Sequence, residues 1–226
     1  MRYAVVGLIL GCASGAHAGQ FALPRGCEAY LTVQYDNCSL SHHFTCAVDP
    51  DGHQWAVFTD RNGRGNASRI DRETRWVQSF SLPAATARRT VSETDPFSLS
   101  ELLETGEDQF DFMTRSADGE ELRWTGVDRL EKETEVIDGV EFGVISFQNR
   151  VANGEGEVQR MEAGTNFISR EWRMYLPRTH QVWDPEGTVI HEEERRPVDI
   201  VFPEDDGFLA LEPIHGCAID VAFDAE

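Results

Sequence analysis

Dipeptides in which glycine follows Asn, Asp or Glu punctuate the chain, among them Asp51-Gly52, Asn62-Gly63, Asp118-Gly119, Asp138-Gly139, Asn153-Gly154, Glu186-Gly187 and Asp206-Gly207. Glycine reaches positive φ without steric cost, and Asn and Asp tolerate it, so these dipeptides favour tight turns. Alternating apolar and polar residues flank several of them, which is the pattern of half-buried strands. The sequence therefore predicts an all-β, mainly antiparallel fold of about ten to twelve strands, arranged as a curved sheet, a half-barrel or a sandwich.

Hairpin registers follow from the requirement that apolar residues on paired strands share one face. A two-residue loop at residues 51–52 and three-residue loops at Gly119 and Gly139 satisfy this requirement. The predicted pairs are Val48 with Trp55, Cys46 with Val57, Phe112 with Trp124, Thr114 with Leu122, Val136 with Val140 and Thr134 with Phe142. Residues 165–176 are predicted as one strand, 198–202 as another, and 61–69 and 81–93 as loops.

One short helix is predicted near residues 96–105. Ser98 and Glu101 have the spacing of a capping box, and Gly106 can end the helix in the left-handed conformation. Leu99, Leu102 and Leu103 form one apolar stripe. We expect this stripe to pack against the sheet.

The first eighteen residues have the order of a secretory signal peptide, with Arg2, an apolar run over 3–10, and small residues at Ala16 and Ala18. The run is far shorter than the roughly 20 residues that span a bilayer. We therefore predict a signal peptide over 1–18, followed by a single β-rich exported domain over 19–226. The remaining sequence contains no predicted transmembrane segment.

Cleavage at a different point would change where the protein resides. Residues 9–12 resemble a lipobox, and cleavage there would leave a lipoprotein anchored through Cys12. Cleavage after Ala18 would give a periplasmic or secreted protein. A bacterial periplasm is the location that we favour.

Four cysteines remain after the signal segment: Cys27, Cys38, Cys46 and Cys217. An even number in an exported chain predicts two disulfides, for which three connectivities exist. Cys27 begins the first predicted strand, and Cys46 lies on the inward face of its hairpin. We favour Cys27 with Cys46, which leaves Cys38 for Cys217.

The chain is strongly acidic, with 40 Asp and Glu against 20 Lys and Arg and a formal net charge of −20. This charge repels nucleic acid and anionic membrane surfaces. It keeps the surface solvated, and it would also attract cations or basic partners.

The common catalytic and cofactor motifs are missing from the sequence. It has no G-x-S-x-G, no G-x-G-x-x-G after a strand, no phosphate-binding loop and no H-E-x-x-H. Residues 191–194 form a charge run on a predicted strand, where consecutive side chains point to opposite faces, and His42 is interpreted as a core histidine. We therefore predict no catalytic, cofactor-binding or metal-binding residues, and we favour a protein that is not an enzyme.

Residues 108–208 resemble bacterial envelope proteins of the lipoprotein-carrier type and related periplasmic families of unknown function. Three features carry the resemblance: residues 138–142 form a strand after a turn, 171–173 contain Trp172, and 197–200 form a closing strand led by Pro197. The resemblance covers less than half of the chain. It implies an open half-barrel that holds an apolar ligand against a helical lid.

Two functions are favoured at this point, and an enzyme of the glycosidase type comes third. The first is binding or carriage of an apolar or amphipathic ligand on a continuous apolar surface formed by Phe112, Trp124, Phe142 and Trp172, which recur with period two on predicted strands. The alternative is an envelope interaction or structural protein that meets other proteins and has no ligand cavity. The oligomeric state is not determined by the sequence.

Overall fold

The computed structural model describes residues 19–217. The predicted signal peptide, its cleavage site after Ala18 and the alternative anchor Cys12 lie outside the described residues. Within this range, the elements are β1 (Cys27–Tyr35), β2 (Ser39–Cys46), β3 (Gln54–Asp60), β4 (Gly65–Ile70), β5 (Trp76–Leu82), β6 (Thr86–Asp95), α1 (Leu99–Thr105), β7 (Glu107–Ser116), β8 (Glu121–Ile137), β9 (Val140–Asn153), β10 (Val158–Ser169), β11 (Met174–Trp183), β12 (Val189–Glu194) and β13 (Pro197–Val201).

All of these strands belong to one antiparallel sheet in the order β12-β11-β10-β9-β8-β7-β6-β5-β4-β3-β2-β1-β13. Consecutive strands are neighbours, except that β13 pairs with β1 instead of β12. The all-β prediction is confirmed. Residues 28–80 continue the sheet that contains Phe112 and Trp124, so the described residues form one curved sheet and not the two sheets of a sandwich.

Curvature brings strands together that are distant in the sheet order. Leu31 of β1 and Ile200 of β13 share a core cluster with Phe142, Phe167 and Leu176 of β9 to β11. Six strands separate β8 from β1 in the sheet, so this cluster forms only because the sheet curls back on itself. We call this set, which also includes Val33, Tyr35, Ile137, Val144 and Met174, the inner core.

Helix α1 lies where the sequence predicted a helix. The Ser98 hydroxyl oxygen accepts a hydrogen bond from the Glu101 N–H at 3.2 Å, and Gly106 ends the helix at φ 87°. Leu99 and Leu102 are fully buried and pack with Ile145 and Ile168. Val144, beside Ile145, points to the opposite face and joins the inner core. Strand β9 is therefore covered on both faces at this level.

The predicted register of the β7–β8 hairpin is confirmed. Phe112 pairs with Trp124 and Thr114 pairs with Leu122, and Gly119 takes the left-handed conformation at φ 94°. The closing strand after Pro197 is also present, as β13.

The predicted register of the β2–β3 hairpin is wrong by four residues. Trp55 pairs with Phe44 instead of Val48, and Val57 pairs with His42 instead of Cys46. The Asp49 carboxylate accepts a hydrogen bond from the Trp55 Nε1–H at 2.7 Å, which holds residues 47–53 as a longer loop and leaves Val48 87% exposed. Because the slip is an even number of residues, the apolar side chains keep their common face.

The predicted register at Gly139 is also wrong. Ile137 pairs with Val140, and Glu135 pairs with Phe142. Asp138 at φ 47° and Gly139 at φ 81° are both left-handed, which is the requirement of a two-residue type I′ turn. Val136 therefore points outward and is 63% exposed, while Ile137 is buried.

Three predicted segments have different boundaries in the structure. Residues 165–176 are not one strand, because β10 ends at Ser169 and β11 begins at Met174, and Trp172 lies in the turn between them. The predicted loops over 61–69 and 81–93 are largely β4 to β6. These strands are rich in Ser, Thr and Arg, and pairing with their neighbours outweighs their weak apolar pattern.

Both predicted disulfides are present. Cys27 is bonded to Cys46, across the β1–β2 pair, and Cys38 is bonded to Cys217. The second bridge holds the C-terminal segment against the β1–β2 turn, where the Cys38 N–H also donates to the His215 carbonyl oxygen at 2.9 Å. Among residues 19–217, no helix is long and apolar enough to cross a membrane.

The Cys38–Cys217 bridge should contribute strongly to stability, because it joins residues that are 179 positions apart. Replacing both cysteines with serine should lower the free energy of unfolding by roughly 2 to 5 kcal/mol, since a bridge over a long loop restricts the unfolded chain. Chemical denaturation of the oxidised protein would measure the loss. The matched control replaces Cys27 and Cys46, which are 19 positions apart, and should cost less. An equal or larger loss in that control would contradict the argument from loop length.

Candidate ligand-binding cavity

A cavity of about 420 Å³ lies inside the curved sheet. Side chains from β1 to β5 and from β7 to β12 line it. Pockets that hold small organic molecules range from roughly 300 to 1,000 Å³. The cavity is therefore large enough for a small ligand.

A continuous row of aromatic side chains forms one side of the cavity. Its ring centroids are separated by 6.0 Å from Tyr175 to Phe97, 4.8 Å from Phe97 to Phe110, 5.8 Å from Phe110 to Phe112, 6.2 Å from Phe112 to Trp124 and 5.1 Å from Trp124 to Trp76. We call these six residues the aromatic wall. Trp76 is 46% exposed, so the wall extends from the interior to the protein surface.

Gly126 makes room for this wall. It lies opposite Phe110 in the β7–β8 pair. A Cβ atom at this position would lie 2.5 Å from Phe110 Cζ, 2.6 Å from the Gln148 carbonyl oxygen and 2.7 Å from Asn149 Oδ1. The absence of a side chain therefore allows the Phe110 ring to lie across β8.

Two aspartates face each other beside the aromatic wall. Asp108 and Asp128 are directly opposite in the β7–β8 register and are 1% and 3% exposed. Asp108 Oδ2 accepts a hydrogen bond from the Ser98 N–H at 3.1 Å, whereas its Oδ1 has no partner. Asp128 lines the cavity, and its carboxylate makes no hydrogen bond or ion pair with any residue of the range 19–217.

Burial dominates the protonation of this pair. It raises the pKa of Asp128 to about 8, and the charge of Asp108 adds to the shift. Burial also raises the pKa of Asp108 to about 6; the Ser98 N–H opposes this shift, and the charges of Glu101, Asp95 and Glu73 add to it. Near neutral pH the pair therefore retains a proton that ordinary aspartates would have lost.

Two further polar atoms of the cavity lining are buried, namely the Tyr175 hydroxyl and Asn149 Oδ1. Asn149 Oδ1 has no hydrogen-bond partner among residues 19–217, and the Tyr175 hydroxyl lies beside Thr74 without a hydrogen bond of normal geometry. Burial raises the pKa of Tyr175 well above its ordinary value, and the Asp128 charge adds to the shift, so the two groups lie within electrostatic reach of each other. Buried polar atoms are normally paired, because losing their hydration is costly. These atoms thus provide unused capacity for a ligand.

The other charged groups around the cavity are paired. Glu162 accepts hydrogen bonds from Arg160 at 2.5 Å and from His180 at 3.3 Å. Burial alone would raise the pKa of Glu162, but these two partners lower it further than burial raises it. Arg195 forms an ion pair with Glu193, and Arg178 lies 4.0 Å from Glu135.

His43 also lines the cavity and is neutral at physiological pH. Burial lowers its pKa to about 3, with a further contribution from neighbouring His42. Its Nε2 lies 2.9 Å from the Ser41 hydroxyl oxygen. His42 points to the other face, where it stacks on Phe21 and lies 3.0 Å from Thr32 Oγ1, as expected of a core histidine.

The structure places the four predicted ligand-binding residues in two separate groups. Phe112 and Trp124 belong to the aromatic wall. Phe142 is fully buried in the inner core, and Trp172 lies in the β10–β11 turn, with its ring 6.2 Å from that of Phe142 and on the rim of a different surface pocket. The four side chains therefore do not form one continuous surface.

The sequence analysis missed the polar part of the cavity. Asp108 and Asp128 occupy the same alternating positions as Phe112 and Trp124, four residues away on their strands. A carboxylate at an inward-facing position of an alternating strand was therefore a signal in the sequence for the polar part of the cavity. His43 and Ala56 pair with each other on the face of β2 and β3 opposite to Trp55 and Val57, and this face borders the cavity.

Comparisons with known proteins provide no identification, because no family model, curated protein or solved structure matches the chain. The resemblance to lipoprotein carriers therefore remains a prediction. Within residues 19–217, no group of three or more His, Cys, Asp or Glu side chains is arranged to hold a metal ion. The cavity itself is the best guide to function.

Replacing Asp128 with asparagine should stabilise the protein increasingly as the pH rises. The folded-state pKa of about 8 lies above the ordinary aspartate value of about 3.9, so the folded protein binds the extra proton, and stability falls as the pH rises between these values. Asparagine resembles the protonated acid and removes this loss. The free energy of unfolding of Asp128→Asn, relative to that of the wild type, should rise by on the order of 2 to 5 kcal/mol as the pH increases from about 4 to about 8.

Chemical denaturation of both proteins across this pH range would measure the gain. The control variant Asp118→Asn removes one carboxylate from the exposed turn between β7 and β8. That variant should not show the same rise in relative stability with pH. A constant difference between Asp128→Asn and the wild type at all pH values would contradict the buried acid pair.

Proposed function

We propose that this protein is an exported binding or carrier protein that holds a small amphipathic ligand in the cavity of its curved sheet. The observation that carries the proposal is the aromatic wall, which borders about 420 Å³ of open space and reaches the surface at Trp76. A protein that served only to contact other proteins would need no such space in its interior.

The lining matches an amphipathic ligand better than a purely apolar one. Rings of the aromatic wall offer large apolar contact areas, each of which gains free energy when water is displaced. The Asp128 carboxylate and Asn149 Oδ1 lack a hydrogen-bond partner among residues 19–217, and the Tyr175 hydroxyl contacts Thr74 without a hydrogen bond of normal geometry. A ligand with an apolar body and one polar end would satisfy both parts of the lining.

The two disulfides indicate an oxidising compartment outside the cytoplasm. We propose that this compartment is a bacterial periplasm, reached through the signal peptide over residues 1–18. A soluble carrier fits that location, since amphipathic molecules cross an aqueous space poorly without a binding protein.

The proposed export route predicts a mature protein that begins at Gly19. Ala16 and Ala18 supply the small residues that signal peptidase requires. Mass spectrometry of the intact protein, purified from its native envelope, would establish the first residue. A chain that begins at a lipid-modified Cys12 would instead place the protein on a membrane surface.

Replacing Trp124 with alanine should weaken ligand binding more than it weakens the fold. Trp124 stacks on Phe112 and borders open space, so its loss should cost less than the roughly 3 to 5 kcal/mol of a filled core. Binding of aminoanthracene, a small fluorescent amphipathic dye, should be saturable in the wild type. The Trp124→Ala variant should bind this dye at least about tenfold more weakly.

Trp55→Ala is the matched control for this substitution. Trp55 stacks between Phe44 and Phe80 on the other face of the sheet, away from the cavity. That variant should lose stability and keep its affinity for the dye. If the native protein shows no saturable binding and Trp124→Ala simply unfolds, the protein is better explained as an envelope interaction protein.

A further inference from the structure

Unused hydrogen-bonding capacity in the cavity is concentrated in acceptor atoms. Asn149 Oδ1 is a hydrogen-bond acceptor, and the ionised Asp128 carboxylate is also an acceptor only. Neither group has a partner among the described residues 19–217. The Tyr175 hydroxyl lies beside Thr74 without a hydrogen bond of normal geometry, so it can also accept one. A ligand that supplies N–H donors would satisfy these atoms.

The positive side chains of the lining are already compensated. Arg195 is paired with Glu193, Arg178 with Glu135, and His180 with Glu162. Asp128 is the acidic residue of the lining without a cationic partner in the described chain. When it is ionised, its buried charge is therefore uncompensated, and such a charge is stable only with a partner of opposite sign.

We propose that the cavity binds a small organic cation, namely a protonated amine whose ammonium group pairs with Asp128 and whose apolar body lies along the aromatic wall. This inference rests on the proposed ligand-binding function and specifies its substrate class. The ammonium group has three N–H donors, which match the acceptors of Asp128, Asn149 and Tyr175.

The aromatic wall itself favours a cation. Ring faces carry negative electrostatic potential and attract positive groups within about 6 Å of the centroid. Trp124 already has such a contact, because the Arg160 guanidinium lies 5.0 Å from its ring centroid. The net charge of −20 would also raise the local concentration of cations near the protein.

A monovalent cation suits the acid pair better than a metal ion. Asp108 and Asp128 lie directly opposite each other, and burial makes the pair retain one proton, so a single positive charge is enough to replace that proton. The described residues provide no third ligand that would complete a metal site with this pair.

Isothermal titration calorimetry with three six-carbon probes tests the proposal: hexylammonium, hexanol and hexanoate. They share an apolar tail and differ in the charge of the head group. At about pH 8, where an alkylamine is still protonated, hexylammonium should bind the wild type at least about tenfold more tightly than hexanol. Hexanoate should bind more weakly than either.

Two variants separate the site from the overall charge of the protein. Asp128→Asn should bind hexylammonium at least about tenfold more weakly than the wild type and should keep its affinity for hexanol. Asp118→Asn removes the same charge from an exposed turn and should bind all three probes as the wild type does. An equal loss of hexylammonium binding in both variants would show that only the net charge matters and would overturn the proposal.

The remaining outcomes distinguish this inference from the function on which it rests. If hexanol or hexanoate binds as tightly as hexylammonium, and Trp124→Ala weakens that binding, the cavity binds ligands but the cation inference is wrong. If neither these probes nor aminoanthracene shows saturable binding, both proposals are wrong.

Discussion

The contact between β1 and β13 on one side and β9 to β11 on the other determines the shape of the whole molecule. Leu31 and Ile200 meet Phe142, Phe167 and Leu176 in the inner core, although these strands are far apart in the sheet. A flat sheet would leave these side chains in water. Burial of the inner core therefore keeps the sheet curled, and the cavity exists because the curled sheet encloses more space than its side chains fill.

The fold was predictable from the sequence where turn chemistry and alternation agree. Gly119, Phe112 and Trp124 define one hairpin without ambiguity, and Ser98 and Gly106 mark the two ends of the helix. The predicted register of the β2–β3 hairpin was wrong because a side chain outside the strands determines the length of its loop. Asp49 holds a long loop through Trp55, and a pattern of apolar residues contains no information about that hydrogen bond.

The candidate site was only half predictable for a related reason. Alternation identifies which side chains share a face, and it places Phe112 and Trp124 correctly on the cavity side. The predicted register at Gly139 was wrong, and it placed Phe142 on the same face as Trp124. In the structure Trp124 pairs with Val151, and Phe142 lies at an odd spacing from Val151 on β9, so the two rings point to opposite faces. The aspartate pair depends on the curvature of the sheet, because burying the Asp128 carboxylate costs free energy only once the sheet has closed around it.

The order of the strands has a consequence for how the two disulfides form. Cys27, Cys38 and Cys46 lie close together in the sequence and are synthesised well before Cys217, the partner of Cys38. Oxidation in order of appearance would join Cys27 to Cys38, which is not the native pairing. Cys38 must therefore remain reduced, or be released by thiol exchange, until the last strand has added to β1 and brought Cys217 into place. The Cys38–Cys217 disulfide thus reports that β13 has paired with β1 and that this edge of the sheet is assembled.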